Sequence, residues 1–267
     1  MIKLIASDMD GTFLDGSGQF DRARFERILD GLDARGIRFA VASGRPYLAL
    51  AALFEGFEKR VIFIAENGSL VVEKEQVHFE ALMPPSLYLA IVASLERNPF
   101  ARQGQWLLSG KRASYVLETA PQEYVAHIAH YYEKVTRVRD FAAIEDDIFK
   151  ITAQFDEELV QQAAQWLNQD VPGVTALVTG FDAIDIVRSD VDKQTGLEKL
   201  CQDLVLYPAD LLVFGDNLND YRMMEYAGTA IATANARQEI KQLADLVIGP
   251  CDQEAVQAYL EEFLWQQ

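Results

Sequence analysis

Ile2-Lys3-Leu4-Ile5-Ala6-Ser7-Asp8-Met9-Asp10-Gly11-Thr12 is the stretch from which the rest of the chain can be read. Ile2 to Ala6 is a short, mostly apolar run of the kind that a buried parallel strand needs. It ends in a polar loop, and open α/β sheets carry their chemistry at such carboxyl ends. Asp8 and Asp10 stand two residues apart, so a turning backbone can aim both carboxylates at one point. Hard oxygen ligands of this sort suit a divalent cation, magnesium above all, which also bridges to a phosphate oxygen. In phosphoryl transfer one carboxylate can attack phosphorus while the other protonates the leaving group and then activates water. Taken alone, the stretch also reads as an acidic turn that uses Gly11 for its φ angle.

Working outward, Phe25, Ile28, Leu29 and Leu32 recur at helical spacing before Gly36, and Ile37 to Ala42 reads as a second strand. Val61 to Ala65 supplies a third strand and Leu211 to Phe214 a fourth, followed by the polar loops Glu66-Asn67-Gly68 and Gly215-Asp216-Asn217. This pattern implies an α/β fold with a doubly wound parallel sheet, Rossmann-like, spanning residues 1–83 and 188–267. Between them, residues 84–187 change to alternating, half-exposed strands, as expected of an inserted α+β domain whose sheet has one face covered by helices and one free. The expected order there is a helix (86–97), strands (105–109 and 114–118), a helix (122–135), a strand (149–155), a helix (157–168) and strands (174–179 and 183–187). Pro84-Pro85 marks the way in and Arg188 to Asp192 the way out.

The composition narrows the partners. With 24 Lys plus Arg against 41 Asp plus Glu, the 267 residues carry a formal charge of -17, which argues against nucleic acid. An anionic small substrate then needs a locally positive site made of a cation, a few basic side chains and backbone N–H groups. The amino-terminal apolar run is too short for a signal peptide and no later run has the length of a membrane span, so a cytoplasmic protein is expected. Cys201 and Cys251 read as reduced, apolar residues. Both a monomer and a homodimer remain open.

Asp8-Met9-Asp10-Gly11-Thr12 also matches the first signature of the haloacid dehalogenase-like phosphatase superfamily, and three more segments resemble the remaining signatures in the right order. Val41-Ala42-Ser43-Gly44-Arg45 resembles the second, Asp192-Lys193-Gln194-Thr195-Gly196-Leu197 the third, and Gly215-Asp216-Asn217-Leu218-Asn219-Asp220 the fourth. Four short matches in order are far more specific than one. The insertion resembles the mixed α/β cap of the Cof-type branch, which includes many sugar phosphatases, so the resemblance spans the whole chain. It implies a magnesium-dependent phosphatase acting on a small phosphate ester, such as a sugar phosphate, through an aspartyl phosphate. By that likeness Asp8 is the nucleophile and a metal ligand, Asp10 is the acid/base whose carbonyl also meets the metal, and Asp216 is the third ligand. Met9, Ser43, Gly44, Lys193 and Asn219 would hold the phosphoryl group, with Thr12, Arg45 and Asp220 in support. Independent reasons exist as well. Ser43 and Gly44 precede Pro46, a favoured first helical residue, so N–H groups there can face an anion. Lys193 offsets the gathered carboxylates, and Asp220 has the chemistry to orient Lys193 or a metal-bound water.

Some residues depart from the family pattern. Phe13 stands where leucine is commoner, Asp190 and Asp192 add negative charge beside Lys193, and Ala230 to Ala236 lacks the usual methionine and glycine. Elsewhere, His127 and His130 share a helical face but lack a third zinc ligand, Glu145-Asp146-Asp147 reads as a solvated loop, and Trp106 and Tyr115 read as packing. Phe181 and Asp182, beside the second hinge, are the candidates for substrate contact. Two rival functions share the fold. A phosphomutase or another phosphotransferase also uses an aspartyl phosphate, although Asp10 argues against a P-type ATPase, which carries lysine there. A non-catalytic ligand-binding module has no need for an acid/base at Asp10.

Overall fold

The computed structural model describes residues 1–179 and 182–265. In chain order it begins with β1 (Leu4–Ser7), α1 (Arg22–Asp33), β2 (Arg38–Ala42), α2 (Tyr47–Leu53), β3 (Val61–Ala65), β4 (Leu70–Glu73) and β5 (Gln76–Glu80). Next come α3 (Pro85–Arg97), β6 (Ala101–Gly110), β7 (Ser114–Leu117), α4 (Gln122–Ile128), β8 (Val135–Val138), β9 (Ile148–Phe155), α5 (Val160–Asp170), β10 (Val174–Thr179) and β11 (Ala183–Arg188). The chain closes with α6 (Lys193–Leu204), β12 (Leu211–Gly215), α7 (Tyr221–Tyr226), β13 (Thr229–Ala232), α8 (Gln238–Leu243), β14 (Leu246–Val247) and α9 (Ala255–Trp265). Two compact units result: Met1–Gly44 with Phe54–Glu80 and Asp192–Gln267, and Arg45–Leu53 with Ala81–Val191. No helix among the described residues is long and apolar enough to cross a membrane.

The first unit is a doubly wound α/β layer structure. Its sheet runs β14-β13-β12-β1-β2-β3-β4-β5, parallel from β14 to β3 and antiparallel through the last two strands. β1, β3 and β12 are buried along their whole length, which requires cover on both faces and explains their unbroken apolar runs. On one face Leu4, Ala6, Ile62, Ile64 and Val213 pack against Leu197 and Leu200 of α6, Met223 of α7 and Ile240 of α8. On the other, Phe39 and Phe63 belong to a cluster of rings with Phe25 of α1, Phe13, Phe20 and Phe54. Four strands join the four read from sequence. β4 and β5 carry no hairpin signal in the sequence, because their two-residue turn, Lys74-Glu75, has φ of +48° and +67° without the Asn-Gly signature that usually marks such a hairpin. β13 has four residues and β14 two, too short for a period to show.

The second unit holds a six-stranded sheet, β10-β11-β9-β6-β7-β8, antiparallel except for β7 beside β8. Trp106, Leu108, Ile151, Ala153, Ile184 and Ile186 turn one face toward Ile91 and Leu95 of α3 and Ala163 and Leu167 of α5. The other face, expected to be free, is covered instead: Leu107 and Val116 pack there with Tyr124 and Ile128 of α4 and with Tyr132. The helix expected over 122–135 stops at Ile128, and 135–138 is a strand. Tyr132 prolongs the four-residue spacing of Tyr124 and Ile128, which imitates a longer helix, but it packs from the turn beyond. Alternation puts Lys150, Thr152 and Asp185 on this face too. Lys150 Nζ lies 2.7 Å from Asp185 Oδ2, Thr152 Oγ1 donates to Asp185 Oδ1 at 2.6 Å, and the Tyr132 hydroxyl lies 2.8 Å from Thr152 Oγ1. Asp146 corrects the reading of 145–147 as a solvated loop: its carboxylate accepts from the Arg112 N–H at 2.9 Å and from the Tyr115 hydroxyl at 2.9 Å.

Candidate active site

The topology sets up the site. β1 has β12 on one side and β2 on the other, all parallel, with Ser7 level with Phe214 and Val41. Asp8, Ser43-Gly44 and Asp216 therefore leave the sheet at the same end, where the strand order reverses direction, and ligands of open α/β sheets bind at such a point. The Asp8 N–H is held by the Phe214 carbonyl at 3.0 Å. The Met9 carbonyl accepts N–H groups from Thr12, Phe13 and Leu14, closing the loop that carries Asp10. Gly11 has φ +84°, and a Cβ there would stand 2.5 Å from Asp216 Oδ2, so only glycine lets the two acidic loops approach.

Lys193 ties the site together. It opens α6 with 0% exposure, and its ammonium donates to Asp8 Oδ1 at 2.5 Å and to Asp220 Oδ1 at 2.6 Å. The second oxygen of Asp220 accepts the N–H groups of Asp216 and Asn217, each at 3.0 Å. Thr12 Oγ1 donates to Asp216 Oδ1 at 3.0 Å. Asp8, Asp216 and Asp220 each offer a carboxylate oxygen within 4.8 Å of the others. Burial, then the charge of Asp220, push the Asp8 carboxyl well above its ordinary range, although Lys193 pulls the other way. Burial and Asp220 likewise push Asp216 up to about 6. Burial disfavours the Lys193 ammonium, but Asp220 and Asp8 outweigh it and hold the lysine protonated. With all three carboxylates ionised, one ammonium leaves two negative charges unmatched, and the upward shifts of Asp8 and Asp216 express that excess. Hard oxygen donors in such surplus fit a divalent magnesium ion.

The other residues singled out from sequence distribute as follows. Ser43 is buried just beyond β2, and its carbonyl accepts the Asn67 N–H at 3.0 Å. Gly44 lies against Asn67 so closely that a Cβ would meet Asn67 Oδ1 at 3.0 Å. Asn219 is half-buried in a short helical turn ahead of α7, and Asp10 is exposed. Arg45 falls in the second unit, as does Asp182, whose carboxylate accepts from Gln154 Nε2 at 3.1 Å. Phe181 lies outside the described residues. The two aspartates beside Lys193 are accounted for: Asp190 pairs with Arg188 at 2.6 Å, while Asp192 caps α6 through the Thr195 N–H and meets Arg222 at 2.9 Å. His127 and His130 join no metal-binding group among the described residues, and Cys201 and Cys251 are free and buried.

The polar loop after β3 packs against two of these segments. Glu66, Asn67 and Gly68 have φ of +53°, +55° and +93° in succession and are all buried. A Cβ on Gly68 would stand 2.0 Å from the Asp192 carbonyl and 3.1 Å from Lys193 Cα. This strained turn thus touches both Gly44 and the start of α6. The dipeptide Asn-Gly after a buried strand was its sequence signal.

A family model for haloacid dehalogenase-like hydrolases matches residues 5–260. The 5-amino-6-(5-phospho-D-ribitylamino)uracil phosphatase YbjI of Escherichia coli (strain K12) is 31% identical over 264 residues, covering 98% of this chain and 96% of that protein. An HMP-PP phosphatase of Yersinia pseudotuberculosis serotype O:1b (strain IP 31758) is 27% identical over 268 residues, covering 99% of this chain and 96% of its own. Among solved structures, SMU.1108c from Streptococcus mutans UA159 superposes with a TM-score of 0.90 at 29% identity, covering 99% of this chain and 100% of that one. The chain belongs to the haloacid dehalogenase-like hydrolases, and it is an enzyme of their phosphoric monoester hydrolase class.

Proposed function

We propose that the chain is a magnesium-dependent, cytoplasmic phosphatase of a small phosphorylated sugar or polyol, working through an aspartyl phosphate on Asp8. The observation that carries this reading is the surplus of buried carboxylate around Lys193, which calls for a divalent cation and an anionic group shared with it. Asp8, Asp216 and the carbonyl of Asp10 would hold magnesium, which when bound offsets the carboxylates and draws charge from the phosphoryl oxygens. Asp220 acts by orientation, since one oxygen is committed to Lys193 and the other to two backbone N–H groups.

In this mechanism an Asp8 oxygen forms a bond to phosphorus while the ester P–O bond breaks, and Asp10 gives its proton to the departing oxygen. Asp10 then takes a proton from water as the water oxygen attacks phosphorus, which releases inorganic phosphate and restores Asp8. Lys193, Ser43, Asn219 and the N–H groups of Met9 and Gly44 would hold the phosphoryl oxygens throughout. Arg45 supports that grip and Thr12 fixes Asp216. The sugar or polyol class is supported by the named substrate of the Escherichia coli relative, which carries a phosphorylated ribityl chain. Residues 1–83 and 188–267 would serve as the catalytic domain and 84–187 as the cap that selects the leaving group, with Phe181 and Asp182 as its contacts.

The test is a panel of sugar phosphates, polyol phosphates, nucleotides and cofactor phosphates, each with magnesium and with excess EDTA. Free phosphate that appears only with magnesium is the expected product. Full activity in EDTA overturns the metal assignment, and an isomeric sugar phosphate in place of free phosphate makes the chain a mutase.

A further inference from the structure

The carbonyl of Gly11 accepts two side-chain hydrogen bonds from a distant part of the chain. Thr233 Oγ1 donates to it at 3.1 Å and Asn235 Nδ2 at 2.7 Å. The Asn235 amide is itself oriented, because its Oδ1 accepts the Cys251 N–H at 2.9 Å. Two residues later, the Arg237 N–H donates to the Asp216 carbonyl at 2.9 Å. One stretch, 233–237, therefore holds the first acidic loop at Gly11 and the second at Asp216. This is the stretch that departs from the family's usual methionine and glycine, and Thr233 within it is fully buried.

We infer that Thr233 and Asn235 are positioning residues for the reaction: together they fix the Gly11 peptide and so set where Asp10 and Asp8 stand relative to Asp216. The inference rests on the phosphatase reading above. One donor is enough to satisfy a peptide carbonyl, and a second adds directional restraint rather than solvation. The restraint falls on the loop's most sensitive point. Gly11 is left-handed and already so close to Asp216 that a Cβ would collide with it, so a small rotation of its peptide changes the spacing of the two loops. Asp10 is the adjoining residue, and an acid/base must be placed to a fraction of an ångström. Neither Thr233 nor Asn235 needs to touch substrate for this.

The prediction separates positioning from plain structural support. With either donor removed, in Thr233→Val or Asn235→Ala, the remaining one still holds the carbonyl, and kcat for p-nitrophenyl phosphate falls by about threefold. With both removed, kcat falls by about 10²-fold while KM stays within about twofold, because misplaced groups lose rate rather than phosphate affinity. Thr233→Ser in the Asn235→Ala background restores most of the rate. The thermal midpoint of each variant is measured alongside. A double variant with wild-type kcat overturns the inference, as does a loss shared between kcat and KM, or a collapse of the thermal midpoint that serine fails to rescue. A wild-type chain that releases no phosphate from any substrate sinks the phosphatase reading instead, and the two failures cannot be confused.

Discussion

Among the described residues each unit buries one lysine, and the two are treated differently. Lys193 in the first unit is surrounded by Asp8 and Asp220, with Asp216 close behind, so its single charge is outnumbered. Lys150 in the second unit, 2% exposed, meets Asp185, 4% exposed, and Thr152 and Tyr132 add neutral hydroxyls. There one ammonium and one carboxylate meet directly. A buried ion pair that balances itself gains little over well-packed apolar residues and is costly only when half of it is removed. An unbalanced cluster is costly as it stands and becomes favourable when a ligand supplies the missing charge. Burial of a charged side chain is therefore a poor guide to function, and the local sum of charges is a better one.

The largest expected effect breaks the first cluster. Asp8→Asn should leave the fold intact, because the amide keeps the carboxylate's shape and its oxygen can still accept from Lys193, but an amide cannot attack phosphorus. Activity should drop by at least about 10³-fold on every substrate. Lys193→Met should lower kcat/KM by about 10²-fold or more, and by similar factors across the panel, since the phosphoryl group is common to all. A re-ranked panel would show that Lys193 contacts the leaving group instead.

Breaking the second cluster should produce the opposite signature. Lys150→Met takes the ammonium away from the buried Asp185 carboxylate and should cost about 3–5 kcal/mol of stability, while kcat for p-nitrophenyl phosphate stays within about twofold. Lys150→Met with Asp185→Leu removes both charges and should recover most of that stability. Urea midpoints of the three proteins check this. If the double variant is no more stable than the single one, the pair contributes more than its own charge balance.

The two units also differed in how much of them the sequence disclosed. In the first, the apolar runs of β1, β2, β3 and β12 and the four signatures lie at strand ends or a helix start, so residue type and location pointed the same way. In the second, Tyr132 continued a helical period past the true end of α4, and the expected free sheet face is packed by α4. The roles of Asp190 and Asp192 were equally hidden, because their partners Arg188 and Arg222 are named by geometry rather than by spacing. Gly11, Thr233 and Asn235 show the same limit within the first unit. A hydrogen bond across more than 200 residues has no trace in local pattern.

The backbone gives a last contrast, with the smallest expected effect. Among the described residues, every non-glycine with positive φ belongs to the first unit, and one of them, Asn67, lies against Gly44 of the proposed phosphate-binding loop. Strain of this kind costs of order 1 kcal/mol per residue and persists where the surroundings demand it. Asn67→Gly tests what it is for. Glycine relieves the left-handed strain at φ +55° but loses more chain entropy on folding, so stability should change by less than about 1 kcal/mol. The side chain removed is the one lying against Gly44, so the N–H groups proposed to hold phosphate lose a wall that fixes them. KM for phosphate esters should rise about three- to fivefold, with kcat nearly unchanged, because ground-state and transition-state phosphoryl groups use the same N–H donors. Unchanged KM together with a clear gain in thermal midpoint would mean that the turn at 66–68 is a cost of joining β3 to β4 and has no part in holding phosphate.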